Sequence, residues 1–322
     1  MQEQHFEVVV IGGGAAGLSG AVTLARARRT VLVIDAGAPR NAPAEGVHSY
    51  LTRDGMPPGE FTAAGRAEVR GYGGEVWEDG VDTVKRDGDR FAVRLDGGRA
   101  VSADRLLVAT GAVDHLPQIP GLAERWGREV LHCPYCHGWE VQDRRIAILA
   151  TDPAVAMHQA LLWRQWSDAV TVLRHTAGAF AADDEERLAA RGIDLVEGEV
   201  TAVEVEDDRL AAVVLASGRR VACAALVVGT APDAAAPFLA DLGLEAVEAR
   251  PGEPAFGTKV ETDPTGKTSV PGVWVAGNVA NPMAQVVASA AGGTMAGAMI
   301  NMDLVEAETA RAVSARRREL TL

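Results

Sequence analysis

The sequence predicts an α/β fold of two Rossmann-like (three-layer ββα) dinucleotide-binding modules, the second inserted into the first. Three observations carry this reading. A β-branched run, a glycine turn and a small-residue helix open the chain as a βαβ unit. The same pattern restarts at residue 146. A lone strand, glycine turn and helix near the end cannot make a domain, so they are expected to return to the first module.

In order, residues 7–11 form a short apolar run suited to a fully buried strand. Residues 15–28 have helical composition, and 30–35 read as a second buried strand. A loop rich in Pro, Asn and Gly spans 40–59, and 60–70 look helical. Between 75 and 102, short alternating strands are separated by Asp87-Gly88 and Gly97-Gly98 turns. Residues 106–109 are a buried strand ending in Thr110-Gly111.

The second module repeats the plan: strand 146–150, helix 154–166, strand 170–173 and helix 183–191. An antiparallel patch at 200–205, 210–215 and 220–222 follows, closed by a buried strand at 226–229. The returning segment is strand 273–276, the Gly277-Asn278 turn and a helix from 283 to about 304, with 306–322 as a surface helix or frayed tail. The expected domains are 1–116 with 245–322, and 117–244 between them.

Composition sets the class. A chain of 322 residues exceeds one core, and 48% apolar content excludes global disorder. The net charge of −13 argues against nucleic acid or an anionic membrane as partner. Two uncharged stretches, 8–25 and 268–302, resemble spans in length. They are broken by Gly12-Gly13-Gly14 and by Pro271, Asn278, Asn281, Pro282 and Gln285, so no membrane segment is expected. The start, Met1-Gln2-Glu3-Gln4-His5, lacks a basic export signal, and three cysteines are too few for a secreted disulfide scaffold. A cytoplasmic protein is expected.

Gly12-Gly13-Gly14-Ala15-Ala16-Gly17 is a G-x-G-x-x-G turn between strand and helix. Gly12 permits the tight turn, Gly14 lets the backbone approach a pyrophosphate, and Gly17 lets helix and strand pack closely. Asp35, 23 residues after Gly12, stands where an acid binds a ribose hydroxyl. The additional turns at Ala109-Thr110-Gly111 and Gly277-Asn278 suit a flavin lying extended across strand ends, so FAD is expected.

The equivalent turn of module two is Ala150-Thr151-Asp152-Pro153-Ala154-Val155, with all three glycine positions of the fingerprint filled by other residues. Asp152 puts a carboxylate where a phosphate would sit, while Pro153 is acceptable at a helix start. Arg174, in Leu173-Arg174-His175-Thr176, is the single certain cation for a 2′-phosphate. NADPH binding is not expected.

The string His132-Cys133-Pro134-Tyr135-Cys136-His137 precedes module two. A Cys-x-x-Cys pair cycles between dithiol and disulfide, and a flanking imidazole can move the thiol proton near neutral pH. Zinc is the competing reading. Six adjacent residues do not readily wrap a tetrahedron, and no second Cys-x-x-Cys or His-x-x-x-His is present, so no metal is expected. Cys223 reads as a core residue. Tyr135 and Trp139 are candidates for pocket walls or for core packing. His5, His48, His115, His158 and His175 read as surface or core residues, with His48 in a loop near the expected flavin.

These motifs together resemble low-molecular-weight thioredoxin reductase over nearly the whole chain. There are departures. His137 stands where the reductases carry Asp, Asn278 replaces the Asp of their Gly-Asp turn, and Ala284 replaces the Arg before Gln285. The intact second fingerprint and its arginine pair are missing. The Cys-Pro-Tyr-Cys-His-Gly-Trp-Glu string at 133–140 is more similar to thioredoxin-reductase-like dithiol oxidases, which close disulfides of natural products such as gliotoxin, holomycin and romidepsin.

That resemblance implies a homodimer, tightly bound FAD, dioxygen as acceptor with hydrogen peroxide as product, and a small-molecule dithiol substrate of holomycin type. It puts Cys133 outward for exchange and Cys136 against the flavin, with His132 or His137 as base. The expected cofactor contacts are Gly12, Gly14, Ala15, Ala16, Gly17, Asp35, Ala36, Arg40, Asn41, Val81, Thr110, Gly111, Gly277, Asn278, Ala284 and Gln285. The alternatives are an NAD(P)H- or ferredoxin-dependent disulfide reductase, and a non-catalytic flavin-binding sensor.

Overall fold

A computed structural model describes residues 4–234, 236–249 and 257–320; residues 250–256 of the expected returning segment lie outside it. Strand β1 (Gln4–Ile11), helix α1 (Ala15–Arg26) and strand β2 (Val31–Asp35) form the opening βαβ unit, with β1 and β2 parallel. Helix α2 (Pro58–Gly71) leads into β3 (Glu75–Glu78), β4 (Val81–Asp87), β5 (Arg90–Leu95) and β6 (Ala100–Val108). The sheet runs β3-β2-β1-β6-β5-β4, and the returning strand Val273–Val275 also pairs with β6.

The period of two along β1 divides the core. Val8 and Val10 face α1 and the terminal helix, while Val9 and Ile11 face the antiparallel meander; Phe6, at the start of the strand, joins the latter cluster out of phase. Two expectations are corrected here. The strand at Glu75 is not part of the antiparallel patch: it lies parallel beside β2, where Trp77 meets Phe6 edge-on at 6.1 Å. Residues 106–108 are not a separate strand but the end of β6, and Ala109 lies just beyond it. The strand continues because β1 pairs along its length while β5 and then Val273–Val275 take its other edge.

The inserted module contains β7 (Val130–Leu131), α3 (Pro134–His137), β8 (Ile146–Leu149), α4 (Pro153–Trp163), β9 (Val170–Leu173), α5 (Ala182–Ala190) and β10 (Asp194–Val196). Then come β11 (Val200–Glu206), β12 (Arg209–Leu215), β13 (Arg220–Ala222) and β14 (Ala225–Val228). The parallel sheet has the order β10-β9-β8-β14-β7, and β11-β12-β13 form a separate antiparallel sheet. β7 and β10 escape sequence reading because runs of two and three residues carry no periodicity and, unlike β13, neither continues an alternating patch.

Two connectors join the modules, Ala112–Val113 and Asp233–Ala234, paired antiparallel. Ala236, Phe238, Leu239, Leu242 and Leu244 are buried in the first core. The chain therefore re-enters the first module ahead of the boundary expected at 244/245, because this apolar run packs on β4.

The last helix, α6 (Val286–Glu319), is one 34-residue element rather than a helix with a separate tail. Its second half lacks Gly and Pro and is rich in Ala, Glu and Arg, so propensity alone continues the helix. An ion pair from Arg29 to Glu308 ties that half to the first module. Among the described residues no helix is long and apolar enough to cross a membrane.

Candidate active site

The first glycine turn is built by close approach. Gly12 has φ +109°, and a Cβ there would lie 2.3 Å from the carbonyl oxygen of Ala109. A Cβ on Gly17 would lie 1.9 Å from the Gly12 oxygen, so only glycine lets α1 start against this turn. Gly14 caps α1, no side chain bonds the helix's first N–H groups, and the space above it is open. Such an end attracts a phosphate. Asp35 is buried beneath the turn, where its Oδ1 accepts the Gly13 N–H at 3.1 Å and its Oδ2 pairs with Arg66. The Thr110 hydroxyl is buried without a partner. An open helix end, a ribose-height acid and an orphaned hydroxyl together fit a dinucleotide.

Gly12, Gly14, Asp35 and Thr110 line one cleft of about 1060 Å³. Gly12, Gly14, Ala15, Ala16, Asp35, Ala36, Arg40 and Asn41 contribute from one side, and Val81, Thr110, Gly111, Gly277, Asn278, Ala284 and Gln285 from the other. Gly17 does not line it, and acts through packing instead. The Asn278 amide donates to the carbonyls of Asn281 (3.2 Å), Pro282 (3.3 Å) and Ala284 (2.9 Å). An aspartate could donate to none of the three, which accounts for the amide at this position.

Cys133 and Cys136 line the same cleft and form a disulfide with a Cα–Cα distance of 5.3 Å. Cys133 caps the single turn α3 and Cys136 lies within it; Pro134 starts the turn and Gly138 ends it. A Cβ on Gly138 would lie 2.5 Å from the Pro134 oxygen and 2.8 Å from the Trp166 ring. That close fit seats the redox turn on the second module.

His132 and His137 flank the disulfide in the cleft. His132 stacks on Trp126 with ring centroids 5.4 Å apart. Burial, then the neighbouring Arg40 charge, pushes its pKa down to about 4. Burial also lowers His137, with Glu140 opposing and His48 adding to the shift. Both ring nitrogens of His137 are buried, and a hydrogen bond from the ring to the Cys133 backbone also opposes the shift.

The second fingerprint is closed rather than merely altered. Asp152 caps α4 with its own side chain, whose Oδ1 accepts the N–H groups of Ala154 (2.9 Å) and Val155 (3.0 Å). These are the donors a pyrophosphate would need. Arg174 is held by Glu197 at 2.7 Å and by the Gly178 carbonyl at 3.2 Å. His175 accepts the Val200 N–H through Nδ1 at 3.0 Å, a structural role.

Sequence reasoning missed several lining groups. Asp114, Trp126, His158 and Gln159 all line the cleft, and His158, read as an unremarkable surface or core residue, is exposed within it. None sits in a motif, so no local signal marks them. His48 lines the cleft too, 3.5 Å from Glu140. Tyr135 lines it and is largely exposed, whereas Trp139 is exposed outside the lining. Cys223 is buried as expected, and burial pushes its thiol up to about 12.

A dinucleotide cleft and a cysteine pair shared between two Rossmann modules define a flavoprotein disulfide oxidoreductase of thioredoxin-reductase-like architecture. Residues 6–293 match the pyridine nucleotide-disulphide oxidoreductase family, and the chain belongs to it. A relative named thioredoxin reductase sirT, from Leptosphaeria maculans, is 32% identical over 95% of this chain and 96% of its own. The crystal structure of HlmI is similar with a TM-score of 0.91, at 46% identity over 98% of both chains. An oxidoreductase from Agrobacterium tumefaciens gives a TM-score of 0.87 at 36% identity, over 94% of this chain and 99% of that one.

Proposed function

We propose that this protein oxidises a small-molecule dithiol to a disulfide through Cys133 and Cys136, with FAD as cofactor and dioxygen as terminal acceptor. One observation carries the reading. The disulfide shares its cleft with the open helix end at Gly14, while the matching end in module two is closed by Asp152. Electrons therefore enter from a thiol and not from a pyridine nucleotide.

In this reading the first substrate thiolate attacks Cys133, displaces the Cys136 thiolate and forms a mixed disulfide. His137 takes the proton from the second substrate thiol, which attacks the sulfur bound to Cys133 and closes the ring. Cys133 leaves as a thiolate, and the enzyme dithiol results. His137 is the better base of the two, since Glu140 and the Cys133 backbone favour its protonated form, whereas at His132 the Arg40 charge outweighs that of Asp114. The chemistry supplied by bound FAD is acceptance of the electron pair from the Cys133–Cys136 dithiol and its transfer to dioxygen, which leaves as hydrogen peroxide. Gly14, Asp35 and Thr110 would hold that cofactor.

A holomycin-like substrate, a homodimer and a cytoplasmic setting belong to the same reading. The exposed Met295, Met302 and Val305 on α6 support a subunit contact.

The test is anaerobic stopped-flow spectroscopy of the FAD-loaded protein with NADPH, NADH and dithiothreitol. The expected result is flavin bleaching by dithiothreitol alone, with colour and peroxide appearing on admission of air. Bleaching by NADPH within turnover time would return the protein to the nucleotide-dependent reductases. A Cys133→Ser variant is expected to keep FAD and lose dithiol oxidation.

A further inference from the structure

We infer that helix α4 of the inserted module is the recognition wall for the substrate, and that Gln159 binds an amide carbonyl of an uncharged dithiol. This rests on the dithiol-oxidase reading. Ala154, Val155, His158, Gln159 and Leu162 line the cleft that holds the disulfide. Their spacing places them on one face of the helix. In an intact nucleotide module this helix would present its first turn to a pyrophosphate. Here Asp152 occupies those N–H groups, so the face is left to another ligand.

A chain of aromatic contacts joins that face to the redox turn. Tyr135, between the two cysteines, meets Trp166 edge-on at 5.6 Å, and Trp166 packs on Trp163 at 6.3 Å. Trp163 Nε1–H then donates to Gln159 Oε1 at 2.9 Å. This bond uses the acceptor end of the amide and fixes its orientation. Gln159 Nε2 has no partner among the described residues. The cleft is therefore offered a held donor, set among the apolar Ala154, Val155 and Leu162 with His158 as the one titratable neighbour on that face. A donor in apolar surroundings selects a neutral acceptor, and a carbonyl is the neutral acceptor that accompanies amides. A charged dithiol would lose its hydration there without an opposite charge.

The experiment compares two probes on the FAD-loaded protein: dithiothreitol, which has no carbonyl, and bis(mercaptoacetamido)cyclohexane, which carries two amides. The measured quantity is the ratio of kcat/KM for the amide dithiol to that for dithiothreitol. In Gln159→Leu this ratio is expected to fall roughly three- to tenfold, chiefly through KM, the range one hydrogen bond commands. Gln159→Glu keeps the acceptor for Trp163 and replaces the donor by a carboxylate, so its ratio falls at least as far. A purely structural Gln159 would be preserved by Glu. A ratio within twofold of wild type in Gln159→Glu, whatever the absolute rates and whatever Gln159→Leu shows, overturns the inference. If neither dithiol reduces the wild-type flavin, the oxidase reading itself fails and this one falls with it.

Discussion

Arg40 and Asp114 form a two-pronged ion pair inside the cleft, Nε to Oδ2 and Nη2 to Oδ1, each at 2.6 Å. The Thr230 hydroxyl donates to the same carboxylate at 2.8 Å, and Arg40 Nη1 donates to the Pro282 carbonyl at 3.1 Å. Asp114 follows one connector strand and Thr230 precedes the other, so this one carboxylate ties both connectors to the first module. Burial opposes its ionisation, but the Arg40 hydrogen bonds and charge, with Thr230, hold it below the ordinary carboxylate range.

Asp114→Ala would strand the Arg40 charge in a part-buried setting. Loss of one partner from such a pair costs roughly 3 kcal/mol. Thermal unfolding of the FAD-loaded protein should show a clear fall in Tm. Asp114→Asn, which can keep the Thr230 contact, should lose less. An unchanged Tm in the alanine variant would mean the pair contributes nothing to holding the modules.

Asn278→Asp turns three donor contacts into carboxylate–carbonyl repulsion. A penalty of about 1–3 kcal/mol is expected, together with reduced FAD retention, because the 278–284 loop lines the cofactor cleft. Flavin-to-protein absorbance after gel filtration measures it. Full retention would detach this loop from cofactor binding.

Gly138→Ala forces either α3 or Trp166 to move, since the added methyl meets both. FAD content should survive while dithiol-driven flavin reduction slows at least tenfold, the scale of misplaced reacting groups. Equal rates would show that the redox turn tolerates displacement.

The pH dependence follows from His132. Its folded value of about 4 lies below the ordinary 6.5, so between those limits the unfolded chain binds a proton that the folded chain does not. Stability therefore falls as pH drops from 6.5 toward 4, by on the order of 2 kcal/mol at about pH 5. His137, also lowered, acts in the same direction. Tm measured from neutral pH downward should decline, and His132→Phe should flatten that decline. A variant with the wild-type slope would assign the acid sensitivity elsewhere.

The repeated βαβ plan was legible because the first strand of each module is a continuous apolar run followed directly by a helix and a second such run. The Gly12–Gly17 turn and the Cys133–Cys136 pair were legible because each is local, set by residues within one turn of one another. The strands Val130–Leu131 and Asp194–Val196 were not, and neither was the early re-entry at Ala236, where an apolar run reads the same whichever core it joins.

By itself the sequence determined two nucleotide-type modules, one intact fingerprint, one degraded fingerprint and a redox pair between them, since local spacing dictates each. Only the tertiary structure decided that Asp152 closes its own helix end. It alone brought Arg40, Asp114 and Thr230 into one cluster, and it alone put Gln159 in the cleft of the disulfide. These relationships depend on where an inserted module docks. Docking is fixed by the sum of many weak long-range contacts, and no local pattern in the chain records that sum.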